Sequence, residues 1–169
     1  MHGAKRGFDG FLSLFLPAVL WFTACAAGQT LQLGPVTGSA GDWVTVPISF
    51  QRSPEREPTA LQWEIQIASQ LEPETRRIAR AVLAVTEAGK SLTCAFVGKS
   101  AEGWSVRCVL AGGQKPIPPG TIALLAVRIA DRAQAGTAPI RLDHVLAVTQ
   151  DLKQLPIDSA ATLITIRAR

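Results

Sequence analysis

The sequence of 169 residues contains no tyrosine, two histidines, three cysteines and one methionine. This scarcity leaves few candidates for metal ligands or catalytic nucleophiles. Charged residues make up 18%, below the roughly 25% usual in soluble domains, but 47% of the chain is hydrophobic, which argues against disorder. The formal net charge of +4 comes from scattered basic residues. That pattern favours a solvated surface over a nucleic-acid interface.

Motifs that carry catalysis are also missing from the sequence. It has no GxSxG, HExxH or phosphate-binding loop, and no EF-hand spacing near Asp151 and Asp158. His144 lies beside Asp143 in a predicted strand, where adjacent side chains point to opposite faces, so the two are not expected to form a dyad. The sequence therefore predicts a protein that is not an enzyme and that holds no metal or cofactor.

The N-terminal segment has the three parts of a secretory signal peptide. Lys5 and Arg6 precede the apolar run Phe11–Phe22, and the small residues Thr23–Ala27 follow. About a dozen apolar residues are too few to span the ~30 Å hydrocarbon core of a membrane. We therefore expect residues 1–27 to be a signal peptide, and residues 28–169 to be one exported domain.

Two routes of processing remain open. Small residues around Cys25 suit a signal peptidase, which would release the protein to the periplasm or the medium. Alternatively, Phe22-Thr23-Ala24-Cys25 resembles a bacterial lipobox, in which Cys25 is lipidated and anchors the protein at the cell surface. Contact with a membrane is expected only through this N-terminal signal or lipid anchor.

The other two cysteines, Cys94 and Cys108, are predicted to form a disulfide. An exported protein meets an oxidising compartment, where a cysteine pair is usually bridged. The strands Ser91–Gly98 and Trp104–Ala111 read as a hairpin around Ala101, which places Cys94 opposite Cys108. Directly opposed residues are close enough for a disulfide. The absence of CxxC or an adjacent histidine argues against a redox or metal-binding pair.

The rest of the chain reads as eight or nine short strands with turn signals every 8–15 residues, which predicts an all-β, two-sheet sandwich of jelly-roll or immunoglobulin-like type. The segments are Thr30–Leu33, Asp42–Phe50, Ala60–Ala68, Ile78–Thr86, Ser91–Gly98, Trp104–Ala111, Thr121–Ile129, Pro139–Thr149 and Ala161–Ile166. Ile78–Thr86 fits either a strand or a helix, and Glu72–Arg80 could hold one helical turn. Pro47 cannot donate a ladder hydrogen bond, which predicts an edge strand or a bulge there.

The tryptophans have two interpretations. Trp63 and Trp104 are the expected large core residues. Trp43 and Trp104 each follow a short turn and are the candidates for a sugar-binding platform, although core or turn packing is favoured for both.

Several segments together resemble the cohesin domain of bacterial cellulosome scaffolds. LQLGPVTGSAGDWVTVPISF is similar to the first two strands of that family, with Gly41–Ile48 matching its Gly-(Asp/Glu)-x-Val-x-Val-Pro-Ile run, and ALQWEIQI is similar to the third. GTIALLAVRIADRAQAGTAPIRLDHVLAVTQDLKQLPIDSAATLITI is similar to the final three strands in order and spacing. The family's usual Tyr-Asp at the end of the third strand is Ala68-Ser69 here, and Cys94–Cys108 is not a general feature of the family.

The resemblance implies a nine-stranded, jelly-roll sandwich that performs no catalysis. Cohesins grip a calcium-loaded dockerin module with the outer sides of their third, fifth, sixth and eighth strands, so any calcium would belong to the partner. Transferred to this sequence, the partner-binding residues are Gln62, Glu64, Gln66, Thr93, Ala95, Ser105 and Arg107. Arg141 and Asp143 join them if Ile140 and Leu142 are core residues.

Three functions therefore remain open. The favoured one is protein binding to a dockerin-like partner, in the setting of extracellular polysaccharide degradation. A carbohydrate-binding module, using Trp43, shares the sandwich architecture. A spacer in an envelope or secretion assembly is the third.

Overall fold

The computed structural model describes residues 28–53, 56–76 and 78–168. The predicted signal peptide and the lipidation candidate Cys25 lie outside these residues. Within them, one five-residue helix and thirteen strands occur, and no helix is long and apolar enough to cross a membrane.

The strands and the helix are numbered in chain order. They are β1 (Thr30–Leu33), β2 (Val36–Ser39), β3 (Trp43–Gln51), β4 (Pro58–Ala68), β5 (Leu71–Pro73), β6 (Ala79–Ala81), α1 (Leu83–Glu87), β7 (Ser91–Ser100), β8 (Gly103–Ala111), β9 (Gly120–Ile129), β10 (Gly136–Thr149), β11 (Gln154–Leu155), β12 (Asp158–Ser159) and β13 (Thr162–Arg167).

The strands form two sheets. A six-stranded sheet has the order β12-β1-β3-β9-β5, with β6 also paired to β9, and a seven-stranded sheet has the order β2-β13-β10-β4-β8-β7, with β11 paired to β10. The two-sheet β-sandwich expected from the sequence is thus confirmed. The four unpredicted strands, β2, β5, β11 and β12, have two to four residues each and are too short to show an alternating pattern.

The ambiguous segment Ile78–Thr86 contains both alternatives: β6 pairs with β9, and α1 follows it directly. The helical turn that Glu72–Arg80 could have held is not found among the described residues there; Leu71–Pro73 instead pairs with β9 as β5, and Ala79–Ala81 as β6. Proline at position 73 and pairing along the open side of β9 favour an extended backbone.

Pro47 does not mark an edge strand, because β3 lies between β1 and β9. The carbonyl of Pro47 accepts a 2.8 Å hydrogen bond from the Gly34 amide, just beyond the last β1–β3 pair, Leu33–Ile48. Its missing N–H lies on the same side as this carbonyl, at the end of the β1 pairing, where the loss of one donor interrupts the ladder least. The register shift that the proline suggested lies one residue further on, between Ile48 and Ser49.

The apolar faces of the two sheets pack against each other and form one core. Trp63 is fully buried at its centre together with Phe50, as expected for the largest core side chain. Trp104 is only half-buried at the margin, with its ring centroid 5.5 Å from that of Phe96. Trp43 is 58% exposed on the outside of the six-stranded sheet.

The predicted disulfide joins Cys94 of β7 to Cys108 of β8, which lie directly opposite each other. The hairpin turns at Ala101 and Glu102, as the sequence indicated. Gly103 starts β8 with φ +144°, and a Cβ there would collide with the Ile67 carbonyl oxygen of β4. Glycine is thus required where the hairpin closes against β4.

We expect Gly103→Ala to lower the free energy of unfolding by about 2–4 kcal/mol, through backbone strain and the clash with Ile67. Gly98→Ala is the matched control in the same hairpin, because nothing lies within 4 Å of its added Cβ. Urea denaturation of both variants measures the difference. Equal stability of the two variants would show that the close approach is not a constraint.

Candidate functional site on the outer face of the seven-stranded sheet

The predicted partner-binding residues lie together on the solvent side of the seven-stranded sheet, here named the outer face. In β4, Trp63, Ile65 and Ile67 are buried between the sheets, so the residues alternating with them, Gln62, Glu64 and Gln66, point outward. The strand order β10-β4-β8-β7 matches the expected juxtaposition of the eighth, third, sixth and fifth strands. Ile140 and Leu142 are buried, which places Arg141 and Asp143 on this face as well.

The central row across the outer face runs from Asp143 through Glu64 and Arg107 to Ala95. Glu64 has only 10% of its side chain exposed, unusual for a carboxylate on the solvent side of a sheet. Arg107 Nε and an Nη atom donate to Glu64 Oε1 over 2.9 and 2.5 Å. The Arg107 side chain, 50% exposed, therefore covers Glu64 and is itself held in one orientation.

The hydrogen bonds from Arg107 lower the pKa of Glu64 below its usual range, although burial acts in the opposite direction. The positive charge of Arg107 adds to the lowering of this pKa. The carboxylate therefore stays ionised in neutral and mildly acidic solution.

His144 provides the second contact to the same carboxylate, with Nδ1 3.2 Å from Glu64 Oε2. In β10 the side chains do not alternate regularly between the two faces of the sheet. The strand contains a bulge between Asp143 and Leu146, and His144 has φ +49°. Asp143 and His144 therefore both reach the outer face, contrary to the expectation that they point to opposite faces. No hydrogen bond or ion pair between these two side chains is found among the described residues.

A second row across the outer face, next to the central row, contains Arg141, Gln66 and Ser105. Gln66 Nε2 donates to Ser105 Oγ over 3.2 Å. A shallow depression of about 530 Å³ opens at this point. Its polar lining includes Gln66, Ser105, Lys99, Glu102, Arg141 and Asp143.

The third row across the outer face is more apolar. The sequence predicted two of its members, Gln62 and Thr93, and missed the other two. Gln62 lies between Val109 of β8 and Leu146 of β10, and Val109 lies opposite the predicted Thr93. Val109 is 38% exposed and Leu146 is half-buried. Alternation along β8 could have identified Val109, whereas Leu146 reaches this face only because of the bulge at His144.

The outer face thus combines a small apolar row with fixed polar and charged groups. Within residues 28–53, 56–76 and 78–168 there is no group of three or more His, Cys, Asp and Glu side chains placed to hold a metal ion. The Trp104 ring packs beside Phe96, and the Lys99 ammonium lies over the ring, 4.1 Å from its centroid, which favours the turn-packing role for this tryptophan. Polar and charged groups around a small apolar centre are also the usual composition of protein interfaces.

Solved structures identify the fold. A chain of the Coh-OlpA–Doc918 complex, a type I cohesin–dockerin complex from Clostridium thermocellum, aligns with a TM-score of 0.68 and 16% identity over 83% of this chain and 99% of that one. A non-cellulosomal cohesin from the archaeon Archaeoglobus fulgidus aligns with a TM-score of 0.66 and 10% identity, over 84% of this chain and 93% of the other. The chain has the fold of cohesin domains.

CaCohA2 from Clostridium acetobutylicum, known from a solution structure, aligns with a TM-score of 0.64 and 21% identity, over 82% of this chain and 90% of its own. No protein-family model and no curated protein sequence matches the chain. At sequence identities of 10–21% the structural likeness establishes the cohesin fold and does not identify a binding partner.

We expect Glu64→Gln to reduce the free energy of unfolding at pH 7 by about 1–2 kcal/mol, because it removes a charge-assisted hydrogen bond. A carboxyl whose pKa is lowered on folding stabilises the protein above its unfolded pKa of about 4.3. That contribution is lost as the pH falls through the lower folded pKa. The gap between wild type and variant should therefore narrow as the pH falls below about 4.3, measured by urea denaturation across the pH range.

Glu72→Gln is the control, since Glu72 is an exposed carboxylate 3.7 Å from Arg128 on the other sheet. Solvent-exposed pairs contribute little, so this variant should follow the wild type at every pH. A gap for Glu64→Gln that is constant from pH 7 to 3 would show that the carboxylate gains nothing from its contacts with Arg107 and His144.

Proposed function

We propose that this protein is an exported, non-catalytic binding module that holds a dockerin-like protein module on its outer face. The observation that carries the proposal is the juxtaposition of β10, β4, β8 and β7, which brings residues from four separate segments into one surface. Cohesins of the same fold have been solved in complex with dockerins, among them the Coh-OlpA complex and a cohesin of Acetivibrio cellulolyticus with the Cel5 dockerin.

The geometry of Arg107 favours protein recognition. Its guanidinium is half-exposed but already fixed by Glu64, so little side-chain entropy is lost when a partner accepts its remaining hydrogens. Arginine residues of this kind are common hot spots of protein interfaces. Val109 and Leu146 supply the apolar contact that such a polar surface needs.

The chemical character of the partner follows from the surface. A complementary module would present carboxylates or carbonyl groups to Arg107 and Arg141, donors to Asp143, and a small apolar side chain to the row at Gln62. Calcium, if the partner requires it, would be bound by the partner. In the cellular setting, we propose export directed by residues 1–27, with Cys25 as a lipid anchor or with release after cleavage.

Affinity capture from the exported proteins of the source organism tests the proposal, with the full chain produced in an exporting host as bait. We expect a dockerin-like module to be retained in calcium and released by EDTA. Arg141→Glu should weaken its affinity about tenfold or more, about 1.4 kcal/mol or more, in a calorimetric titration.

The matched control is Arg80→Glu, the same substitution in β6 on the exposed side of the other sheet. It should bind like the wild type. Equal loss in both variants would indicate a long-range charge effect, and no loss in Arg141→Glu would reject the outer face as the site. Binding to polysaccharide that is abolished by Trp43→Ala would instead identify a carbohydrate-binding module.

A further inference from the structure

The edges of the two sheets differ greatly in length. Three of the four end strands, β2, β5 and β12, have four, three and two residues. The fourth, β7, has ten residues and pairs with β8 alone among the described strands. Proteins often keep their edge strands short, which prevents association between sheet edges. The edge strand β7 lacks this protection because it is long.

The first half of β7 lacks the other protective features as well. Ser91–Phe96 contains no charge, no proline and no bulge; the bulge at Val97 and the charge of Lys99 come only afterwards. The preceding Lys90 does not guard the edge, because its buried ammonium donates to the carbonyls of Gly112 and Gly113 over 2.5 and 3.1 Å. Phe96 and Val97 are 38% and 52% exposed.

The disulfide shows which backbone groups face outward. Cys94 and Cys108 have a Cα–Cα distance of 4.1 Å, which is typical of a non-hydrogen-bonded antiparallel pair. The N–H and C=O groups of Cys94 therefore point away from β8, and by the period of two so do those of Leu92 and Phe96. None of the described hydrogen bonds outside the sheet ladders involves these six groups.

We propose that β7 is a dimerisation edge, at which a second copy of this chain adds its own β7 in antiparallel orientation. A two-fold axis at Cys94 pairs Leu92 with Phe96 of the second copy, and Cys94 with Cys94. All six outward backbone groups of each copy then find partners, wholly within the bulge-free stretch. An axis at Ala95 would push the pairing past the bulge at Val97.

A second copy is favoured over an unrelated strand because the segment complements itself. In this register Thr93 lies beside Ala95 of the second copy, two small uncharged side chains in a close pair, and no like charges oppose each other. The two outer faces join on the same side into one eight-stranded surface, β10-β4-β8-β7 continued by its symmetry mate. Two partner modules would then bind side by side.

Residue-resolved amide hydrogen exchange tests the pairing on the wild-type full chain, with the disulfide intact. The amides of Thr93 and Ala95 face β8 and should be protected at every concentration. The amides of Leu92, Cys94 and Phe96 should exchange quickly in dilute protein and at least about tenfold more slowly near 1 mM, together with a doubling of the mass by light scattering.

Two double variants give a matched test of the register. Thr93→Lys with Ala95→Lys places like charges opposite each other at two symmetric positions and should keep the protein monomeric. Thr93→Glu with Ala95→Lys places opposite charges there and should retain the dimer or strengthen it.

Several results would overturn the proposal. These are a monomer at all concentrations, a dimer in which Leu92, Cys94 and Phe96 stay unprotected, or a dimer that is equally stable in both double variants. Protection that appears only when another protein is added would assign the edge to strand addition by that protein instead.

Discussion

In β4, Trp63, Ile65 and Ile67 are buried between the two sheets. Because adjacent side chains of a strand point to opposite faces, Gln62, Glu64 and Gln66 must then lie on the outer face. The same constraint acts on β8 through Val106 and Cys108, and on β10 through Ile140 and Leu142. A slip of one residue in any of these strands would expose its apolar side chains, so the register is fixed by the core. The composition of the outer face is therefore a consequence of packing.

Burial of Glu64 on that face is unfavourable in free energy, because a carboxylate with a tenth of its side chain exposed has lost much of its hydration. The double hydrogen bond from Arg107 and the contact with His144 offset this cost. They also hold the Arg107 side chain in one orientation. The same few atoms thus offset the burial of Glu64 and fix the orientation of Arg107.

The sequence was sufficient to predict the long strands and the disulfide, because alternation over eight or more residues and a pair of opposed cysteines are strong local signals. It was also sufficient for the resemblance to cohesins and for the residues of β4, β7 and β8 on the outer face. Short strands such as β2 and β12 could not be predicted, since they exist only through pairing with distant neighbours. The bulge that turns His144 and Leu146 outward could not be predicted, because a positive φ is uncommon at any residue other than glycine and no glycine marks this position.

The central claim, that the outer face is the binding surface, is tested most directly by mapping amide chemical shifts while an isotope-labelled full chain is titrated with its captured partner. We predict that the shifts change along β4, β8 and β10, centred on Glu64 and Arg107, and that Gln32 and Thr45 of the other sheet do not respond. Changes centred on Trp43, with β4 and β8 unaffected, would contradict it.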